Sequence, residues 1–249
     1  MNILVLIISN DSLPHYAENK KVWLSYMNRY HNIHCFFIEF TPLNEASQGG
    51  ADSNIHWYDK QCPVIENNTL YLQGEESFEN ILLKTLNSMD YFLHIDNKIQ
   101  YDFIVRTNLS SIWDFDKLQS YLETLPKNNI YTGHIGPYYH LQHHHFLFYF
   151  IGGMGIIMSR DVCQLLLENR HIAESFKNMD DIDIGYTMNQ LNISILPFQY
   201  GKIDSLANFE ETKEFIKQKD VIFYRAKSSS HDRSEEPIYM KKIVELLYE

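Results

Sequence analysis

A chain of 249 residues is long enough to bury a full core without splitting, and residues 1–249 read as a single domain. The formal net charge of −11 argues against a nucleic-acid partner or an anionic membrane surface, because neither polyanion is attracted to such a surface, and no stretch reaches transmembrane length, so no membrane insertion is expected. Aromatic residues make up 14% of the chain, enough for a large core and a lined pocket, which excludes a disordered tail protein.

The opening "MNILVLIIS" lacks a basic leader, and its apolar run is too short to cross a bilayer, so it reads as the first buried strand rather than a signal peptide. Ser9 and Asn10 stand at its end. "AENKKVWLSYMNRY" (17–30) repeats at helical spacing, with Val22, Trp23, Tyr26 and Met27 on one face. "HCFFIEF" (34–40) is a second strand, and the polar segment 44–54 a surface loop. "SFENILLKTLNSMDYFLHI" (77–95) predicts a helix with Phe78, Ile81, Leu82, Thr85, Leu86 and Met89 facing the core.

"YDFIV" predicts a strand whose carboxyl end is Arg106-Thr107-Asn108. In open α/β sheets that end is where ligands gather. "WDFD" mimics a DxD metal motif, but Asp114 and Asp116 also begin the helical "DFDKLQSYLETL" and read as N-terminal caps. "NIYTGHI" (129–135) is a strand, and Pro137 to His145 a candidate loop. The histidines of "YYHLQHHHF" diverge on a loop or strand and have no completing carboxylate, which favours a surface or substrate-facing loop over a metal site.

Gly152, Gly153 and Gly155 let the backbone turn tightly or approach a ligand ahead of the strand "GIIMS" (155–159). A helix follows from Arg160 to about His171, with Ser159 as N-cap. "MDDIDIGYTM" puts Asp180, Asp181 and Asp183 at a helix start, where carboxylates either complement the helix dipole or supply a general base. "NISILPF" and "DVIFYRA" are further strands. "FYRAKSSSHDR" gathers Arg225, Lys227, His231 and Arg233, as a solvated loop or as a flexible segment folding over a diphosphate. "PIYMKKIVELLY" is a closing helix opened by proline.

Strands alternating with helices of this size predict an α/β fold with a mostly parallel central sheet flanked by helices on both faces. Cys35, Cys62 and Cys163 are an odd number without metal-ligand or CxxC spacing, which points to a reducing compartment, the cytoplasm.

Several of these stretches fall in a recognisable order. "GEESFENILLKTL", "YDFIVRTN", "YTGHI", "FIGGMGIIMSRD" and "DDIDIG" together resemble the β-1,3-glycosyltransferase family of galactosyltransferase and Fringe type, and more closely the related glycosyltransferases of giant viruses. The likeness spans roughly residues 70–190 in order. "LLKT" (82–85) matches a Leu-x-Leu-Lys-Thr motif, "YDFIVRTN" stands where the family has a strand ending in Asp-Asp-Asp, and "DDIDIG" resembles Glu-Asp-Val-x-x-Gly.

The resemblance implies a GT-A fold, with a Rossmann-like sheet, and an inverting transfer from a nucleotide-sugar, with uridine the favoured nucleoside, to a glycan or glycoprotein hydroxyl. In a virus this would take place in the host cytoplasm. By residue match Asp181 is the general base. Ser9, Asn10 and Lys84 fall among the donor contacts, with Arg106, Thr107, Asn108, Arg225 and Lys227 as further candidates. Gly152, Gly153, Asp180 and Asp183 fall where donor or acceptor sugar would lie. The family's triplet holds a divalent cation, Mn²⁺ or Mg²⁺, through hard oxygen ligands, and Arg106-Thr107-Asn108 departs from it. Either protein cations replace the metal, or a metal binds through Asn108 and His231; no organic cofactor is implied. A catalytically degenerate nucleotide-sugar or glycan-binding protein, and a His-rich metallohydrolase, are the competing readings.

Overall fold

The computed structural model describes residues 1–10, 13–41, 63–96, 98–139, 145–198, 201–202, 213–214, 216, 221–227 and 233–248. The expected loop 44–54, the histidines at 140, 143 and 144, Cys62 and His231 lie outside the described residues. Strand β1 (Ile3–Ile8) runs parallel to β2 (Ile33–Thr41) on one side and to β5 (Phe103–Asn108) on the other. Beyond β2 come β4 (Thr69–Gln73), also parallel, and β3 (Val64–Glu66), antiparallel. On the far side of β5, β8 (Phe146–Ser159) and β7 (Tyr131–Tyr139) are antiparallel additions, and β9 (Leu196–Pro197) pairs parallel with β7. The full order is β3-β4-β2-β1-β5-β8-β7-β9. A small second sheet joins β10 (Gly201–Lys202), β11 (Phe223–Arg225) and β6 (Ser111–Trp113).

β1 explains why this sequence gives a two-faced sheet. Its side chains alternate, so Ile3, Val5 and Ile7 enter a cluster with Trp23 and Tyr26 of α1 (Pro14–Tyr26), while Leu4 and Leu6 enter another with Leu86 and Met89 of α2 (Ile81–Asp90). A strand covered on both faces needs no polar alternation, which is why "ILVLII" is apolar throughout. The remaining helices are α3 (Phe115–Glu123), α4 (Arg160–Glu168), α5 (Arg170–Phe176), α6 (Asp180–Gln190) and α7 (Glu236–Tyr248). Among the described residues no helix is long and apolar enough to cross a membrane.

Several boundaries differ from the sequence reading. α2 begins only at Ile81, so Phe78 precedes it and is 63% exposed rather than core-facing; Tyr91–Ile95 continues α2 as a π-helical turn. Gly152, Gly153 and Gly155 lie inside the long strand β8, not in a turn, and Pro137–Tyr139 belong to β7 rather than to a loop. Ser159 occupies the N-cap position of α4, yet its hydroxyl donates to Asp161 at 2.5 Å and accepts from the Ile130 amide instead of capping the helix. Asp114 does cap α3, accepting from the Lys117 amide at 3.1 Å. The sequence reading named no β3–β4 hairpin; its two-residue turn is Asn67-Asn68, both at positive φ.

Candidate active site

The sheet itself selects a location. From β1 the chain moves outward to β2 and β4, then crosses back to β5 on the other side of β1, so the strand order reverses between β1 and β5. A crevice opens at the carboxyl ends of strands at such a reversal. Its edges here are Ser9 and Asn10 after β1, and Asn108, Leu109 and Ser110 at the end of β5, with Ile8 and Asn108 in register.

One wall is built by α2. Lys84 is only 2% exposed, and its ammonium donates to the Ser9 carbonyl at 2.8 Å and to the Glu76 carboxylate at 2.6 Å. Burial lowers the Lys84 pKa, and Glu76 opposes that shift. The Ser9 hydroxyl donates to Glu39 at 2.8 Å, and Glu39 is in turn paired with Lys20. Lys84 therefore ties the end of β1 to the segment before α2 through the Glu76 carboxylate, so its charge is neutralised within the protein.

Arg106 lies on the face of β5 that carries Ile104, beneath the N-terminus of α6. It was a candidate for the crevice, but the alternation of β5 directs it inward. The side chain is 2% exposed, with one Nη 2.6 Å from the Asp180 carboxylate and the other donating to Asn108 Oδ1 at 2.9 Å and to the Gly153 carbonyl. Thr85, the last residue of the "LLKT" stretch, donates to the same Asp180 oxygen at 3.4 Å. Burial raises the Asp180 pKa, opposed by Arg106 and reinforced by Asp181.

Asp181 points along β8. Its Oδ2 accepts from the Gly153 amide at 2.7 Å and its Oδ1 from the Ile182 amide at 3.0 Å. Gly153 is needed here because a Cβ would stand 2.6 Å from an Arg106 Nη and 3.3 Å from the Asp181 Cβ. The glycine thus lets a guanidinium and two carboxylates converge on one strand. Asp183 turns the other way: it is 2% exposed and accepts from the Asn178 amide at 2.9 Å, closing the turn before α6. Burial pushes its pKa up to about 6. Gly152 neighbours Gly153 on the same strand.

Thr107 is on the opposite face, buried, with its hydroxyl donating to the Met154 carbonyl at 2.8 Å and accepting from the Trp113 indole at 3.0 Å. A hard divalent cation does not fit this strand end. Arg106 is itself a cation, Thr107 faces away, and the Asn108 carbonyl oxygen already accepts from the guanidinium. Among the described residues no group of three His, Cys, Asp or Glu side chains is placed to hold a metal.

Cations approach the crevice from its other side. The Ala226 amide donates to the Ser110 carbonyl at 2.9 Å, and β11 pairs Arg225 with Ser111, so the C-terminal basic segment begins beside the exit of β5. Lys227 is exposed; partial desolvation and the charges of Arg225 and Arg233 lower its pKa. Arg233 is paired with the buried Glu236 and donates to Tyr16 at 2.8 Å. The structure therefore gathers Ser9, Asn10, Lys84, Arg106, Asn108, Gly153, Asp180, Asp181, Arg225 and Lys227 around one end of the sheet, and leaves Thr107 and Asp183 facing elsewhere. Sequence reasoning missed Glu76, Glu39 and the hydroxyl of Thr85. All three sat inside quoted stretches, but nothing local marked them, because their partners are set by tertiary packing.

The chain matches no protein-family model and no curated protein. Among solved structures it matches the crystal structure of a glycosyltransferase involved in the glycosylation of the major capsid of PBCV-1, with a TM-score of 0.52 and 12% identity, over 97% of this chain and 100% of that one. The two share a fold: a large central sheet with a parallel block, flanked by helices.

Proposed function

We propose that the chain is a nucleotide-sugar-dependent, inverting glycosyltransferase of GT-A type, with Asp181 as general base. The observation that carries the reading is the Asp180–Asp181 pair at the start of α6, set against Gly153 beside the crevice of a sheet whose fold a viral glycosyltransferase shares.

In this reading the nucleoside diphosphate lies along Ser9, Asn10 and Asn108, with Arg225 and Lys227 over its charge. Protein cations at a developing oxyanion supply the electrostatic stabilisation that a metal supplies elsewhere. Asp181 is held by two backbone N–H groups, and each carboxylate oxygen retains a lone pair for an incoming proton. The acceptor hydroxyl gives its proton to Asp181, its oxygen forms the new bond at the anomeric carbon, and the bond to the diphosphate breaks on the opposite side. That geometry inverts the anomeric centre.

In this reading the acceptor approaches along α6. Gly185 is about one turn beyond Asp181 on the same face of α6, and with Asn189, Asn192 and Tyr149 it lines a cleft without a charged side chain. Amides, a phenol and small apolar groups suit a neutral glycan. UDP is the nucleotide the sequence resemblance favours. The test is a panel of UDP-, GDP- and dTDP-sugars in metal-free buffer: one donor is expected to raise the melting temperature and to be slowly hydrolysed. A panel in which none does either overturns the reading.

A further inference from the structure

Arg106 is the largest buried charge that the transfer scheme leaves without a role. We propose that it is a positioning residue: an internal guanidinium that holds Asp180 directly and Asp181 through Gly153, and that never touches the diphosphate. The inference rests on the glycosyltransferase reading for what Asp181 does, but its geometry is independent of that reading.

Both terminal nitrogens of the guanidinium are engaged by structural partners. One Nη meets Asp180 at 2.6 Å, the other serves both the Gly153 carbonyl and Asn108 Oδ1, and the side chain is 2% exposed. Its Nε is buried without a hydrogen-bond partner, so no edge of the fork faces the crevice. A phosphate entering here would have to displace Asp180 and then lie against two carboxylates. Like charges at that range, away from water, repel by several kcal/mol. The cations placed for an anion are instead Lys227 and Arg225, across the crevice.

What Arg106 does hold is the residue on which the base depends. Gly153 gives its carbonyl to Arg106 and its amide to Asp181, so a shift of the guanidinium moves the strand that orients the carboxylate. The absence of a Cβ at Gly153 keeps the three groups in contact, with an added carbon only 2.6 Å from Nη1. Asp180 meanwhile anchors the first turn of α6, on which Asp181 is the next residue. The device needs a planar fork that reaches two partners at once, which lysine cannot supply.

The test compares Arg106→Lys and Gly153→Ala with wild type. Both perturb the linkage, one from the charge and one from the strand. We expect kcat to fall by about 100-fold in each, as a displacement near 1 Å at a catalytic group does, while the Kd for UDP, GDP or dTDP in metal-free buffer stays within about 2-fold of wild type. A drop in nucleotide affinity of about 10-fold in Arg106→Lys, with kcat at saturating donor unchanged, would overturn the proposal and make Arg106 a phosphate ligand. Hydrogen exchange at the Gly153 amide reads the same linkage with no ligand present. It is expected to accelerate by about 10-fold in Arg106→Lys, and an unchanged rate refutes the linkage whether or not any donor is transferred. Failure of wild type to transfer any sugar, with the exchange result as expected, sinks the glycosyltransferase reading and leaves the positioning role standing.

Discussion

Replacing Arg106 with methionine isolates the buried ion pair. The substitution keeps most of the side-chain volume but leaves Asp180, 8% exposed, with only the Thr85 hydroxyl at 3.4 Å as a side-chain donor among the described residues. Removing one member of a buried pair costs about 3–5 kcal/mol, because the other charge stays desolvated. For a chain of this length each kcal/mol moves the melting temperature by about 2–4 °C, so the expected fall at pH 7 is about 6–20 °C. The pH dependence fixes the cause. Without Arg106 the Asp180 pKa rises further above its unfolded value, so the folded state binds the extra proton first, and the deficit shrinks as pH falls toward 4. A second substitution, Asp180→Leu in the Arg106→Met background, removes the stranded charge and is expected to recover most of the loss. Thermal melts at pH 7 and pH 5 on wild type, Arg106→Met, Asp180→Leu and the double variant complete the cycle. A deficit below about 1 kcal/mol, or one that is the same at both pH values, refutes the account of Arg106 as the partner of a buried carboxylate.

Asp183 gives a second test with the sign worked out. Its folded pKa of about 6 exceeds the unfolded value, so it destabilises the protein above pH 6, and that penalty disappears as pH falls below 4. Asp183→Asn keeps an acceptor for the Asn178 amide and is expected to gain about 1–2 kcal/mol at pH 7 in urea melts, with no gain at pH 4. An equal gain at both pH values contradicts a charge-based cause. Lys227→Ala and Arg225→Ala are each expected to weaken binding of a nucleoside diphosphate by about 10-fold at low salt, with a smaller effect at 0.5 M salt, as read by calorimetry. Binding that does not change at low salt removes the basic segment from the site. Asp114→Ala is expected to cost about 1 kcal/mol through loss of the α3 cap and to leave nucleotide binding unaltered, whereas a DxD metal role would change binding.

How far the fold was legible depended on whether local pattern or tertiary pairing decided each element. β1, β2 and β5 announced themselves because a strand buried on both faces must be an apolar run. The trio Gly152, Gly153 and Gly155 left a turn and a close approach open, and the structure shows approach, to side chains of the protein: Gly153 to Arg106 and Gly155 to Phe223. The antiparallel placement of β7 and β8 was hidden, because strand polarity is a property of connections and not of composition. At the site, Asp181 and Asn108 stand near the crevice. Arg106 and Lys84 were legible as cations but not as buried ones, because their neutralising partners come from other elements: Asp180 from α6, and Glu76 from the segment before α2.

The role of Asp181 is the centre of the account. With the donor that stabilises wild type, and an acceptor screened for transfer, the measurement is the configuration and yield of product from wild type and from Asp181→Asn. The account predicts inverted product from wild type and donor binding without transfer from Asp181→Asn. Transfer by Asp181→Asn at the wild-type rate would contradict it, as would a wild type that binds donor and transfers nothing, which is the behaviour of a nucleotide-sugar-binding protein.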